Sequence, residues 1–448
     1  MRSPCAVSTS SMPQVAITGL GLVCPLGNTV AAALERARRG ERGIRAYTSP
    51  WIDAAHPHLH QRVGGTVVDF VPDARLDSRF AARQEPAVLY AMTAAAEALA
   101  QAGLDVAADG ATGGAADRDR IGCVVGAGLA GAELWHRALH TAYAAGRPDD
   151  IARMTAIAIT GTAVTGQLAI RHRLRGPSVA VANACASGTS ALAIAADQIR
   201  LGRADAMLVG GCESSMRSLV AYASFVEAGM NTTREPAGAC TPFAAGRQGF
   251  VLAEGAGMLV LERLDHARAR GARVLAILAG SAITNDAHHV ISPEPSGGAW
   301  ARVIRLALAD AGLAADEVDA VSAHATATPQ GDVAETRALH QVLGRRAHRV
   351  PVSATKSMHG HAFGAAGAIE TALAIAAMGE GVVLPTIDLA AADPDCDLDY
   401  VPGQARRHPV RVLVKNGFGA GGVATSLVLR ADVDDVPDLG AAPRRAVA

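Results

Sequence analysis

Three residues of this chain, Cys185, His324 and His361, have the types and settings that nucleophilic chemistry needs. Cys185 lies in VANACASGTSALAIAADQIRLG, residues 181–202. A stretch of small residues ends at the cysteine, and an apolar run then continues to Gly202. The pattern predicts a strand, a tight turn and a buried helix, with the thiol at the helix N-terminus. Unpaired N–H groups and the helix dipole favour a thiolate there, and the thiolate is the reactive form. The competing reading is a buried cysteine serving only as a small apolar side chain. His324, in SAHATATPQGDVAET (322–336), follows the apolar run VDAVSA. His361, in SATKSMHGHAFGAAGAIE (353–370), precedes a Gly/Ala-rich helix start. One cysteine and two distant histidines, each at the edge of an element, suit acyl-thioester chemistry. The cysteine takes the acyl group, and the imidazoles move protons or donate to a developing enolate.

Lys356 and Glu335 place charge inside motifs that otherwise read as buried. Such charges are costly unless paired, so each is expected to have a polar partner. His359-x-His361 could suggest a metal pair, but two further ligands at zinc spacing are not evident. GAGLAG (126–131) and GFGAGG (417–422) both fit the G-x-G-x-x-G dinucleotide pattern. Neither opens an N-terminal βαβ unit with a well-placed acidic partner, and the chain contains 47 glycines.

The elements that would position these residues alternate. VAITGLGLV (15–23), RIGCVVGAG, ADAMLVGGCES, GMLVLERLD (257–265) and VDAVSAH read as strands. Residues 30–39, EPAVLYAMTAAAEALAQAG, TAIAITGTAVTGQLAIRH, WARVIRLALADAGL and 332–343 read as helices. The alternation argues for α/β layers, with no repeat visible in the sequence. Half of the 448 residues are apolar but only 3% are aromatic, so Ala, Val, Leu and Ile must fill the core. A net charge of −1 gives no support for a nucleic-acid partner. Seven cysteines without a C-x-x-C pair suggest a reducing, cytoplasmic setting. Residues 1–13 lack the apolar core of a signal peptide and read as a disordered tail, as do 431–448. No apolar run is long enough for a membrane span.

VAITGLGLVCPLGNT (15–29), GGCES (210–214), TPFAAGRQGFVLAEGAG (241–257), HATATPQGD (324–332), KSMHGHAFGAAG (356–367) and NGFGAGGVATSLVL (416–429) recur in one order. With the Cys185 run, they make the chain resemble the β-ketoacyl-acyl carrier protein synthases of the thiolase superfamily, over nearly its whole length. The resemblance implies a five-layered αβαβα fold of two pseudo-duplicated halves, 14–265 carrying Cys185 and 266–430 carrying His324 and His361. It implies decarboxylative condensation of a malonyl thioester with an acyl group held on Cys185. Lys356 and Glu335 would orient each other beside the histidines, with Asp332 in the same network. Thr326 and Thr328 would bind the phosphopantetheine arm, and the N–H groups of Cys185 and Ala420 would form the oxyanion hole. Leu129, Phe225, Phe418 and Ala420 would line the acyl pocket. Arg79 and Arg83, one helical turn apart, would meet an acidic acyl carrier protein.

No metal or redox cofactor is implied; substrates arrive on the carrier's phosphopantetheine. A dimer is expected, with a second copy or with a cysteine-less chain-length partner. Ala420 stands where the family usually has a gating phenylalanine, and His359 where it usually has threonine. The first departure, and a length without acyltransferase or carrier segments, tilt the reading to a discrete component of specialised type II polyketide biosynthesis, of the polyene kind. Fatty-acid elongation is the nearest alternative. A coenzyme A-dependent thiolase would need a second catalytic cysteine near the C-terminus, and a non-catalytic partner subunit would lack Cys185.

Overall fold

The structure is a computed structural model that describes residues 12–47, 63–104, 117–231 and 236–432. The two tails expected at the termini lie outside the described residues, apart from Met12–Pro13 and Ala431–Asp432. Most of the polar loop at 109–119 lies outside them too.

Ten strands form one mixed sheet: β1 (Val15–Val23), β2 (Ile121–Gly126), β3 (Ser178–Val181), β4 (Ala206–Glu213), β5 (Gly255–Arg263), β6 (Ala276–Asn285), β7 (Ala320–Ser322), β8 (Val352–Ser353), β9 (Val412–Phe418) and β10 (Val423–Arg430). Their spatial order is β8-β7-β9-β10-β6-β1-β5-β4-β2-β3. This order contains one five-strand pattern twice. β1 runs antiparallel to β5, β5 antiparallel to β4, and β4 and β3 both flank β2 in parallel. β6, β10, β9, β7 and β8 repeat those relations in the same sequence. The halves join where Val15–Ile17 of β1 pair with Ala276–Leu278 of β6. The duplication that the family resemblance implies is therefore present in the strand order.

Helices complete the layers. Helices α1 (Pro86–Ala102) and α2 (Thr162–His172) cover the outer face of the first half. Helices α4 (Gly298–Asp310) and α5 (Pro329–Leu343) cover the second. Between the halves lie α3 (Ser187–Arg200) and α6 (Ala366–Gly379), which touch strands of both and each other. The result is αβαβα. One helix reading needs correction: the helical run expected over 155–172 breaks at Ile159–Gly161, leaving one turn (Thr155–Ala158) before α2.

Small residues make this stacking tight, as an aromatic-poor core demands. A Cβ on Gly21 of β1 would lie 1.8 Å from the Ala94 carbonyl oxygen of α1, so the strand sits directly under the helix. The central contact is about as tight. A Cβ on Gly367 of α6 would lie 1.9 Å from Thr189 Oγ1 and 2.8 Å from Thr189 N, in α3. On the α3 side, a Cβ on Gly188 would meet the Gly364 carbonyl at 2.9 Å and Ala368 N at 3.0 Å. The two helices thus cross at their first turns.

The crossing gives a test. Gly367→Val should cost about 3 kcal/mol or more of stability, because the contacting atoms include backbone that cannot retreat. Gly166→Ala, inside α2 with nothing within 4 Å of the added carbon, should instead be neutral or stabilise by roughly 0.5–1 kcal/mol. Denaturant midpoints measure both. Equal midpoints would mean the central crossing is slack.

Candidate active site

The central helices begin with the same device. Ala184 has φ +46° and opens a 3-10 turn, Ala184–Ala186, that feeds α3. Phe363 has φ +42° and opens a 3-10 turn, Phe363–Ala365, that feeds α6. A left-handed non-glycine residue costs roughly 1–2 kcal/mol, so both turns are held by their surroundings. The first presents Cys185, as expected from the sequence. The second follows His361, whose backbone is fixed by its N–H donating to Val251 O (2.7 Å) and its carbonyl oxygen accepting from Ala253 N (2.9 Å).

His324 comes from a different construction. The loop after β7 is left-handed at Ala325 (φ +36°) and Ala327 (φ +62°). Two acids of α5 hold it. Glu335 accepts from His324 N (2.9 Å) and Ala325 N (2.8 Å), and Asp332 accepts from Ala327 N (3.1 Å). Asp332 also takes the N–H of Phe243 (2.7 Å) and lies 3.4 Å from Arg247. Burial pushes its carboxyl up to about 7, against the pull of those donors.

The imidazoles of His324 and His361 meet edge to face, ring centres 5.6 Å apart at 84°. Phe250 packs at 5.3 Å on the other side of His361. Both nitrogens of the buried His361 ring lack a hydrogen-bond partner, which leaves them for a substrate. Both rings are held well below the usual histidine pKa, first by burial and then by the Lys356 ammonium, so both are neutral near pH 7.

Cys185 departs from the sequence expectation. The N–H groups of Ala420 and of Cys185 itself lie against its sulfur, and with Lys356 they favour the thiolate. Burial outweighs them and pushes the thiol up to about 12. The helix N-terminus lowers the pKa as the physics requires, but the resting group is a thiol. The two N–H groups named for an oxyanion hole thus both face the Cys185 sulfur. Ala420 reaches the site because GFGAGG turns the β9–β10 hairpin. Gly419, at its tip, packs so closely that a Cβ there would lie 2.7 Å from Asn183 O.

Neither G-x-G-x-x-G match is a dinucleotide loop. The second is this hairpin. In the first, Glu213 accepts from Gly128 N (2.9 Å) and Leu129 N (3.3 Å), and Glu85 accepts from Gly131 N (2.8 Å). Carboxylates from the protein already fill the place of a phosphate.

The Lys356 partner is not the one expected. Its ammonium donates to His324 O (2.5 Å) and pairs with Glu370, rather than Glu335. Glu370 also pairs with Lys415 at 2.7 Å, and all three side chains are buried. Burial works against the Glu370 carboxylate, yet the two ammonium groups hold it down to about 2. Burial depresses Lys415, and Glu370 opposes that. Asn416 Nδ2 links this triad to Glu335 at 3.0 Å. Lys415 and Glu370 were missed in the sequence, although each interrupts an apolar run as Lys356 does. Arg247 was missed too; its buried guanidinium ties Asp332 to Asp393 (2.7 Å) and to Thr328 O (3.0 Å).

The remaining expected residues are distributed around this centre. Thr326 and Thr328 face each other, hydroxyl to hydroxyl, at 3.0 Å. Phe225 packs on Phe250 (5.6 Å) and Phe363 (5.2 Å), the rings that flank His361. Phe418 stacks on Trp300 at 4.0 Å and backs His324 at 5.7 Å, so it is a wall for the imidazole. Leu129 is 37% exposed and lines a small cavity with Glu85, Thr160 and Glu213. Arg79 and Arg83 are exposed, but the helix that carries Arg79 ends at Ala81, so they do not share a helical face. His359 is buried, with Nε2 on Thr355 Oγ1 at 3.1 Å, and burial pushes its pKa down to about 4.

Two family models match this chain: the β-ketoacyl synthase N-terminal domain over residues 12–267 and the C-terminal domain over 275–390. The chain belongs to the β-ketoacyl synthase family. It is 35% identical to 3-oxoacyl-[acyl-carrier-protein] synthase 2 of Staphylococcus aureus, over 94% of this chain and 99% of that protein. A type II polyketide ketosynthase, solved with its acyl-carrier protein and a bound hexaketide, superposes with TM-score 0.84 at 31% identity. That match covers 94% of this chain and 100% of the other. The ishigamide ketosynthase/chain length factor gives TM-score 0.83 at 31% identity with the same coverage. As a β-ketoacyl synthase the chain is an enzyme of the acyltransferase type with condensing activity. The five-layered fold is the thiolase-like one.

The buried thiol yields a prediction for this synthase. With the Cys185 pKa raised to about 12, iodoacetamide labelling of Cys185 should be slow at neutral pH. It should climb continuously as the solution is made alkaline, because only the thiolate reacts. Peptide mass spectrometry isolates this site from the other cysteines. A rate that levels off below pH 7 would show that the N–H groups and Lys356 overcome burial.

Proposed function

We propose that this synthase condenses a malonyl unit with an acyl group on Cys185, both delivered on the phosphopantetheine of an acyl carrier protein. The observation that carries this reading is the convergence of two neutral imidazoles, a cysteine and two backbone N–H groups contributed by both halves. A neutral imidazole accepts the Cys185 proton as sulfur attacks the thioester, so no resting thiolate is needed. The new S–acyl bond replaces the bond to the carrier, whose thiol leaves with the proton. Malonyl-carrier protein then enters, with Thr326 and Thr328 on its pantetheine arm. Cleavage of the carboxylate C–C bond releases CO2, and its electron pair forms an enolate whose oxygen accepts from His324 and His361. The enolate carbon attacks the acyl carbonyl. The oxyanion of the tetrahedral intermediate rests on the N–H groups of Cys185 and Ala420. Its collapse expels the cysteine sulfur and leaves a β-ketoacyl thioester two carbons longer. Every electron pair is supplied by thioester and carboxylate, so the scheme draws on no metal or redox cofactor.

Lys356, Glu335 and Asp332 position the histidine loops in this scheme, and Leu129, Phe225, Phe418 and Ala420 shape the acyl path. Arg79 and Arg83 offer exposed positive charge to an acidic carrier protein. The enzyme acts as a dimer, with itself or with a chain-length partner. β3 supports this, being a sheet edge with Val179 exposed on it and Ile170 of α2 exposed nearby. The six cysteines among the described residues are unpaired, which suits the cytoplasm. Among the described residues no helix is long and apolar enough to cross a membrane.

We assign the pathway to specialised type II polyketide synthesis, of the polyene kind. The support is Ala420 at the gating position together with likeness to ketosynthases of that class. The 35% identity to curated synthase 2 proteins favours fatty-acid elongation as a second reading.

Cys185→Ala should abolish acyl loading from an acyl-carrier protein, read by intact mass. Loading that persists would refute the assignment. His324→Ala and His361→Ala should each lose decarboxylation by two to three decades, roughly 3–4 kcal/mol for a donor to a developing oxyanion, while loading persists through the imidazole that remains to take the Cys185 proton. Condensation at the wild-type rate in both variants would rule out the enolate role.

Ala420→Phe separates the two pathways. Filling the door should cost a long conjugated acyl chain about 1–3 kcal/mol relative to a short saturated one. Competition between the two acyl-carrier proteins on each variant gives the ratio. An unchanged ratio would place the gate elsewhere and remove the argument for a polyene substrate.

A further inference from the structure

Outside the active site, His340, His348 and Asp397 bring three ligating atoms within 4.8 Å of one another. They come from three segments: the last turn of α5, the turn after it, and the loop that leads to Tyr400. His340 Nε2 lies 2.6 Å from Asp397 Oδ1. His348 Nδ1 lies 3.1 Å from the Asp397 carbonyl oxygen, which can only accept, so Nδ1 carries the hydrogen. In the neutral ring, Nε2 then holds a lone pair, and it faces Asp397 Oδ2 at 4.0 Å. That lone pair and the Asp397 carboxylate are both available to one ion placed between them. An imidazole whose other nitrogen is pinned by a carbonyl is the usual arrangement of a metal-ligating histidine. The carboxylate is also well anchored. Its neighbours Cys396 and Leu398 are buried, and the Tyr400 hydroxyl bonds Thr336 of α5 at 2.8 Å.

We propose that His340, His348 and Asp397 bind one divalent transition ion of the zinc class, with water completing its coordination. Two imidazoles and a carboxylate suit Zn2+, Ni2+ or Cu2+ rather than Mg2+ or Ca2+. The ion staples the 393–399 loop to the C-terminal end of α5. That loop begins at Asp393, the partner of Arg247, and α5 carries Asp332 and Glu335 at its other end. The site stabilises the scaffold of the histidine loop and takes no part in condensation.

Cobalt(II) is the probe, titrated into the full chain with Cys185→Ser so that the active-site thiol does not compete. The proposal expects one cobalt per chain, d–d absorption of nitrogen and oxygen ligation, displacement by zinc, and a melting temperature that rises with zinc. His348→Ala and Asp397→Asn should each weaken binding by about tenfold or more. Circular dichroism checks that the variants fold, and in the chain that retains Cys185 neither should change condensation in metal-free buffer. Absence of binding, binding unaffected in both variants, or thiolate-to-cobalt charge-transfer bands would each overturn it.

Discussion

The crossing of α3 and α6 is the constraint on which the site depends. Each helix starts from a strained turn, and each first turn carries a glycine where the other helix allows no side chain. With Gly188 against the Gly364 carbonyl and Gly367 against Thr189, the turn that presents Cys185 meets the turn that follows His361. The αβαβα stack pays for this geometry with a core of small residues, in which helix and strand backbones approach to within one side-chain atom.

A second layer of constraint is electrostatic. Lys356, Lys415 and Glu370 form a buried triad carrying one net positive charge, and Glu335 adjoins it through Asn416. Three buried ions would each be expensive alone. Burial first, and then the two ammonium groups, keep the neighbouring imidazoles neutral, the state in which a ring can both accept a proton and donate one. Lys356 also pulls the Cys185 thiol toward ionisation without winning against burial. The resting centre therefore holds a thiol and neutral imidazoles rather than a standing thiolate–imidazolium pair.

Much of this was legible in the sequence because motifs and element edges coincide. Cys185, His324 and His361 stand at element ends, and strands such as 15–23 and 206–213 are fully buried runs bounded by turns. What was not legible depended on partners far along the chain. The pairing of Lys356 with Glu370 is set by the 3-10 turn between them, and the thiol pKa is set by total burial. The internal duplication was also hidden. The hexapeptide ALAIAA occurs at 191–196 and 372–377, yet two residues out of the structural register of the Ala184 and Phe363 turns. Its recurrence reflects a shared need for small apolar side chains rather than a preserved alignment. The one-turn helix at Thr155–Ala158 shows the same limit: apolar periodicity runs on through a break that only packing reveals.

The paired turns also differ in one respect. In the second half, Gly364 occupies the position that Cys185 holds in the first. A Cβ on Gly364 would lie 2.1 Å from Gly128 N, in the loop whose amides Glu213 gathers. The twin of the nucleophile's seat is therefore sealed by the half that kept the nucleophile. The duplicated architecture thus offers one seat for a nucleophile and not two, because a side chain at the twin position would have to displace the Gly128 loop.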